Sequence, residues 1–289
     1  MRIPTCCIFF CFFNTICMTD SLIHGERNVT EVHKGRRDHR KPYKTEVYQR
    51  NLSCRLRYER KCSLVFSRHK ESDEDLRWMN AINKNIRKII MNSGNALASD
   101  HNLCEHRVWA NVGRESFKYL TYILENYHRP ENFSPITVFC QSYPLAPRYG
   151  IPHYLTDVHN LCLRNGNPNM MRWGFLYLGY YTMEFRTGFH VFPEYDYEAD
   201  FRAVFNTSTT APIRMKFVPQ ACFAVSKKNI LSQPIEFYER LISAGNLNTL
   251  NNPMIGHVYE RSWSRIMNAE CERKDPWCCN TACNTTFEA

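Results

Sequence analysis

The sequence predicts a single α/β domain with a central, mostly parallel sheet. Two features predict it. Short β-branched and aromatic runs alternate with segments whose apolar residues recur at three- and four-residue steps. The 289-residue chain, less an apolar leader and a basic linker, still has the length to bury one real core. By composition the chain divides into 1–20, 21–61, 62–270 and 271–289.

The domain opens on Cys62-Ser63-Leu64-Val65-Phe66, an apolar run of strand character. Leu76, Met79, Ile82, Ile86 and Ile89 then recur at helical spacing, which predicts an amphipathic helix closed by Asn92-Ser93-Gly94. A short strand at His106–Trp109 precedes a second helix carrying Phe117, Leu120, Ile123, Leu124 and Tyr127, with Asn111 as its expected N-cap. Pro135–Cys140 reads as a buried strand. Phe217–Val225 reads as another, followed by a helix from Ser226 to Gly245. Val258, Tyr259, Trp263 and Ile266 predict a last helix.

Residues 1–20 read as a signal peptide or short signal anchor. The apolar stretch from Ile8 to Met18 is shorter than the ~20 residues a spanning helix needs. Residues 21–61 read as a basic stem, and much of the net charge of +9 sits there. Four of the 14 cysteines lie in the leader. The other ten (Cys54, Cys62, Cys104, Cys140, Cys162, Cys222, Cys271, Cys278, Cys279 and Cys283) form an even set, as full pairing requires. The last four make 271–289 a Cys-rich disulfide tail. Sequons begin at Asn28, Asn51, Asn132, Asn206 and Asn284. These features predict a secreted protein or one in the Golgi or endoplasmic reticulum lumen. In that setting the basic charge meets anionic small molecules or glycans, not nucleic acid. A membrane enters only if the leader is kept as an anchor.

The chain has no P-loop, no G-x-G-x-x-G after a strand, no H-E-x-x-H and no G-x-S-x-G. Kinase, zinc-protease and α/β-hydrolase chemistry therefore lack their signatures. Four other segments carry a resemblance. They are Val65–Lys70 with Glu74–Trp78; Asn111–Ser116 with Tyr119–Ile123 and Glu125–Tyr127; Thr137–Gln141; and Ala221–Ser226 with Phe237–Leu241 and Glu260–Trp263. Together they resemble an uncharacterised eukaryotic family that is glycosyltransferase-A-like, over roughly 62–267.

The resemblance implies a Rossmann-like domain that transfers a sugar from a nucleotide-sugar donor to a hydroxyl of a glycan or protein. It implies Glu260 as the base that takes the acceptor proton. Asn111, Arg114 and Glu115 fall at an expected strand end and helix start, where N–H groups and a guanidinium can face phosphate. Gln141, His153, Arg68 and Lys70 complete the expected substrate-binding set. Folds of this type place an acidic D-x-D pair after a central strand to hold a divalent cation. Here that place holds Gln141-Ser142, so no metal ligand is assigned and the cofactor stays open. Asp73-x-Asp75 fits a helix start, and Glu194-x-Asp196-x-Glu198 would line one face of a strand. Two further readings stand beside the enzyme: a catalytically inactive binding protein of the same fold, and a secreted disulfide-stabilised glycoprotein.

Overall fold

A computed structural model describes residues 46–50, 61–83, 85–99, 101, 103–108, 111–143, 151–165, 174–178, 183–186, 195–208, 214–217, 219, 221–247 and 253–268. All lie within the compact unit Lys44–Ala289. Nine strands are described: β1 (Glu46–Arg50), β2 (Cys62–Arg68), β3 (Arg87–Asn92), β4 (Glu105–Val108), β5 (Ile136–Gln141), β6 (Phe175–Tyr177), β7 (Met183–Arg186), β8 (Arg214–Phe217) and β9 (Phe223–Ser226). The α-helices are α1 (Arg114–Tyr127), α2 (Ile151–His159), α3 (Tyr197–Phe205), α4 (Lys227–Ser232), α5 (Ile235–Ala244) and α6 (Gly256–Ile266). A π-helical turn, Asn160–Asn165, continues α2. None of these helices is long and apolar enough to cross a membrane.

The main sheet has seven strands in the order β1-β4-β3-β2-β5-β9-β6. Its centre is parallel: β3 pairs with β4, and β2 pairs with β3 on one side and β5 on the other. β1 and β9 run antiparallel to their partners, so the sheet is mixed. β7 and β8 form a separate two-stranded ribbon.

Alternation along each central strand builds two core layers. Val65, Ile89, Met91, Phe139, Phe223 and Val225 face the layer that also holds buried residues of α1, α3, α5 and α6. There Trp263 of α6 stacks on Phe223 at 4.9 Å and tilts against Tyr119 of α1 at 5.6 Å. Leu64, Phe66, Ile90, Val138 and Ala224 face the other layer, covered by Leu76–Ile82 and by Val158, Leu161 and Cys162.

Several expectations are corrected. The helix expected over 76–89 is a 3-10 turn, Arg77–Ala81, followed by β3. Both pieces bury apolar residues, so a single periodic stripe spans two elements. Phe217–Val225 is not one strand. Phe217 ends β8, and β9 begins at Phe223 beyond Pro219, which has no N–H for a ladder. The helix from Ser226 is two helices, broken before Pro234. Part of the expected stem, Glu46–Arg50, is an edge strand on β4. Glu194 lies outside the described residues, and the segment after it is no strand. Asp196 caps α3 by accepting from the Ala199 N–H at 2.9 Å, and Glu198 pairs with Arg202 at 3.0 Å.

Two disulfides lie in the second core layer. Cys62 pairs with Cys162 and Cys140 with Cys222, and Cys104 is disulfide-bonded as well. The other predicted partners, Cys54, Cys271, Cys278, Cys279 and Cys283, lie outside the described residues. So do the sequons at Asn28, Asn51 and Asn284. Asn206 is exposed at the end of α3, and Asn132 is half-buried.

Candidate functional site

The chain runs from β2 outward to β3 and β4, and α1 then returns it to β5 on the far side of β2. Strand order therefore reverses between β2 and β5. Ligands of open α/β sheets bind outside the carboxyl ends of the strands at such a reversal. Here those ends are Arg68, Asn92 and Gln141, and the start of α1 follows β4 at the same edge.

Arg68 serves the fold at this edge. It is 4% exposed; its Nε donates to the Glu71 carbonyl at 2.9 Å and its Nη1 to Asn92 Oδ1 at 2.8 Å. It also donates to the Asn95 carbonyl, so it ties the loops after β2 and β3 together. Lys70 is exposed. Asn111 does not cap α1. Its side-chain amide lies 3.4 Å from His69 Nε2, and Gly113 holds the cap position without a side-chain bond. An amide nitrogen can only donate, so Nε2 accepts and the proton sits on Nδ1. That Nδ1 is buried and has no hydrogen-bond partner among the described residues.

The start of α1 is unusual. Gly113 (φ 63) and Arg114 (φ 55) both occupy the left-handed region. A Cβ at Gly113 would lie 2.4 Å from Phe117 Cβ and 2.5 Å from the Leu247 carbonyl oxygen, so only glycine fits. For Arg114, the same region costs backbone energy that the surroundings must offset.

Arg114 meets the first turn of α6. Its Nη1 is 3.3 Å from His257 Nε2, and His257 Nδ1 is 3.2 Å from Glu260 Oε2. A Cβ at Gly256 would come within 2.7 Å of Arg114 Cδ, so the arginine stem lies directly over that glycine. The His257 and Glu260 side chains are only 19% and 18% exposed, which strengthens polar contacts between them.

Two buried ionisable groups lie beside this chain. Glu115, in the first turn of α1, has its carboxyl raised above the usual range by burial. Arg114 opposes the shift, Glu260 adds to it, and Lys118 opposes it. Lys118 is 1% exposed, and burial pushes its ammonium down to about 8 against the attraction of Glu115 and Glu71. The carboxylate of Glu71 is itself fixed by the His69 backbone N–H at 2.7 Å.

Of the residues expected at the site, the fold unites Arg114, Glu115 and Glu260. It places Gln141 at the end of β5, half-buried. His153 lies in α2, and its side chain is outside the described set. Lys118, His69 and Glu71 were not expected. The one available signal for Lys118 was a basic residue four after Arg114, beside the apolar stripe of α1. Among the described residues, no group of three His, Cys, Asp or Glu is placed to hold a metal ion. Asp73 and Asp75 instead accept hydrogen bonds from Ala98 and Ser99 and from Ser72.

No curated protein and no solved structure matches this chain. Residues 64–148 and 189–284 match DUF3431, a family of proteins of unknown function, and the chain belongs to that family.

Proposed function

We propose that this protein binds a nucleotide sugar at the β2/β5 edge and transfers its sugar to a hydroxyl, in the manner of glycosyltransferase-A-like enzymes. The observation that carries the reading is the polar chain Arg114–His257–Glu260. It joins a cation at a helix start to a carboxylate one helix away. In the reaction, the acceptor oxygen bonds to the anomeric carbon and the bond from that carbon to the diphosphate breaks. The electron pair leaves with the nucleoside diphosphate, and the acceptor proton goes to Glu260. Arg114, Lys118 and the N–H groups opening α1 supply positive potential for the departing charge.

The buried disulfides support an oxidising, luminal setting, and the exposed Asn206 suits a glycan there. A second reading keeps the binding and drops the transfer. It is favoured by Gln141-Ser142, which puts no acid at the end of β5.

The test is thermal and urea stability of the protein from a eukaryotic secretory host, with a panel of nucleoside diphosphates and nucleotide sugars, with and without Mn²⁺. A ligand at 100 times its dissociation constant adds about 2.7 kcal/mol. No shift with any of them overturns both readings. A shift without sugar turnover selects the binding protein.

A further inference from the structure

We propose that His257 and Gly256 are positioning residues that aim Arg114 at the ligand's anionic group, with Glu260 fixing the tautomer of His257. The proposal rests on the donor-binding reading above and adds how the key cation is held.

The proton assignment follows from chemistry. A guanidinium has five N–H donors and no acceptor. At 3.3 Å from Arg114 Nη1, His257 Nε2 must therefore accept. The imidazole proton then sits on Nδ1, which donates to Glu260 Oε2 at 3.2 Å. A carboxylate behind a histidine holds the ring in one tautomer and one orientation. Direction thus runs from Glu260 through His257 to Arg114.

Gly256 supplies the second constraint. It is buried at the first position of α6, and its φ does not lie in the left-handed region, so its backbone does not require glycine. What requires it is the Arg114 stem, which a Cβ would meet at 2.7 Å. The third constraint is the left-handed backbone of Gly113 and Arg114, which fixes where the arginine leaves α1. A long, rotamer-rich side chain is thereby held at its base, stem and head. Preorganisation of this kind raises affinity by removing ordering cost from the binding step.

The experiment measures affinity for UDP-, GDP- and ADP-linked hexoses by calorimetry on the full chain, beside urea midpoints for each variant. Gly256→Ala should keep the urea midpoint and weaken the hexose nucleotide that binds by about tenfold, the worth of one hydrogen bond to a charged group. His257→Phe should lose a similar factor. His257→Gln, whose amide oxygen can accept from Arg114, should restore most of it. Glu260→Gln, whose amide oxygen can still accept from Nδ1–H, should keep affinity and lose transfer. Gly256→Ala and His257→Phe binding like the wild type would overturn the positioning role while leaving donor binding intact. Equal losses in His257→Gln and His257→Phe would overturn it too. Absence of binding by the wild-type chain would remove the donor-binding reading and this inference with it.

Discussion

At the scale of single residues, the least expected feature is a lysine 1% exposed with no ion pair among its described contacts. Burial lowers Lys118 from 10.5 to about 8. A lowered ammonium means the unfolded chain binds more protons between those values, so stability rises with pH across that window. Below about pH 8 the penalty is full, on the order of 3 kcal/mol from the size of the shift. Lys118→Met, which keeps the length and removes the charge, should therefore raise the urea midpoint at pH 7. The gain falls short of that figure, because Glu115 loses a cation that supports it. The rise in stability from pH 8 to pH 10 should vanish in the variant. Urea titrations over that range check both points, and a lower midpoint at pH 7 would contradict the account. Glu115 shows the opposite sign. Its raised carboxyl gives stability that is lost as pH rises through the folded value. Glu115→Gln should thus be more stable than the wild type at neutral pH, with a flatter pH profile. Two groups that destabilise the fold, both in the first turns of α1, fit a role in binding held at some cost in stability.

At the scale of elements, α1 decides the geometry of the site. Gly113→Ala must place a methyl against the Leu247 carbonyl while keeping φ at 63. It should cost about 2 kcal/mol or more, read as a lower thermal midpoint, and weaken nucleotide-sugar binding because Arg114 moves with it. Much at this scale was legible in the sequence. The apolar runs at β2 and β5 and the 3.6-residue stripes of α1 and α6 were plain, because each pattern falls within a single element. The stretch 76–92 misled for a physical reason. A parallel strand buried on both faces is apolar at every position, as Ile89-Ile90-Met91 show, so its residues fit any period. Asn111 misled because its side chain bonds to His69, 42 positions earlier, a partner that periodicity does not reveal. The meeting of Arg114 with His257 spans 143 positions and was equally hidden, although His257 and Glu260 stand at the i,i+3 spacing that shares a helix face.

At the scale of the whole molecule, the two located disulfides act at opposite ends of the sheet. Cys62–Cys162 fastens the first residue of β2 to the π-helical turn after α2, at the amino end of the strand. It closes 100 residues, for which the chain-entropy relation gives about 4.7 kcal/mol. Cys140–Cys222 closes 82 residues, so its entropic worth is similar, about 4.5 kcal/mol. Its place is different. It joins the residue before Gln141 to the residue before β9, one position from the β2/β5 edge. Stability and ligand affinity should therefore separate. The pair Cys62→Ala with Cys162→Ala should lose about 3–5 kcal/mol in urea unfolding, with nucleotide-sugar affinity kept below the transition. The pair Cys140→Ala with Cys222→Ala should lose a similar amount and also bind more weakly, because the carboxyl end of β5 loses its tie to β9. Reduction of the wild type, which also opens the Cys104 bond, should cost more stability than either double variant. Equal affinity in both double variants would mean that the β5 end takes no part in holding the ligand, and would move the site wholly onto α1 and α6.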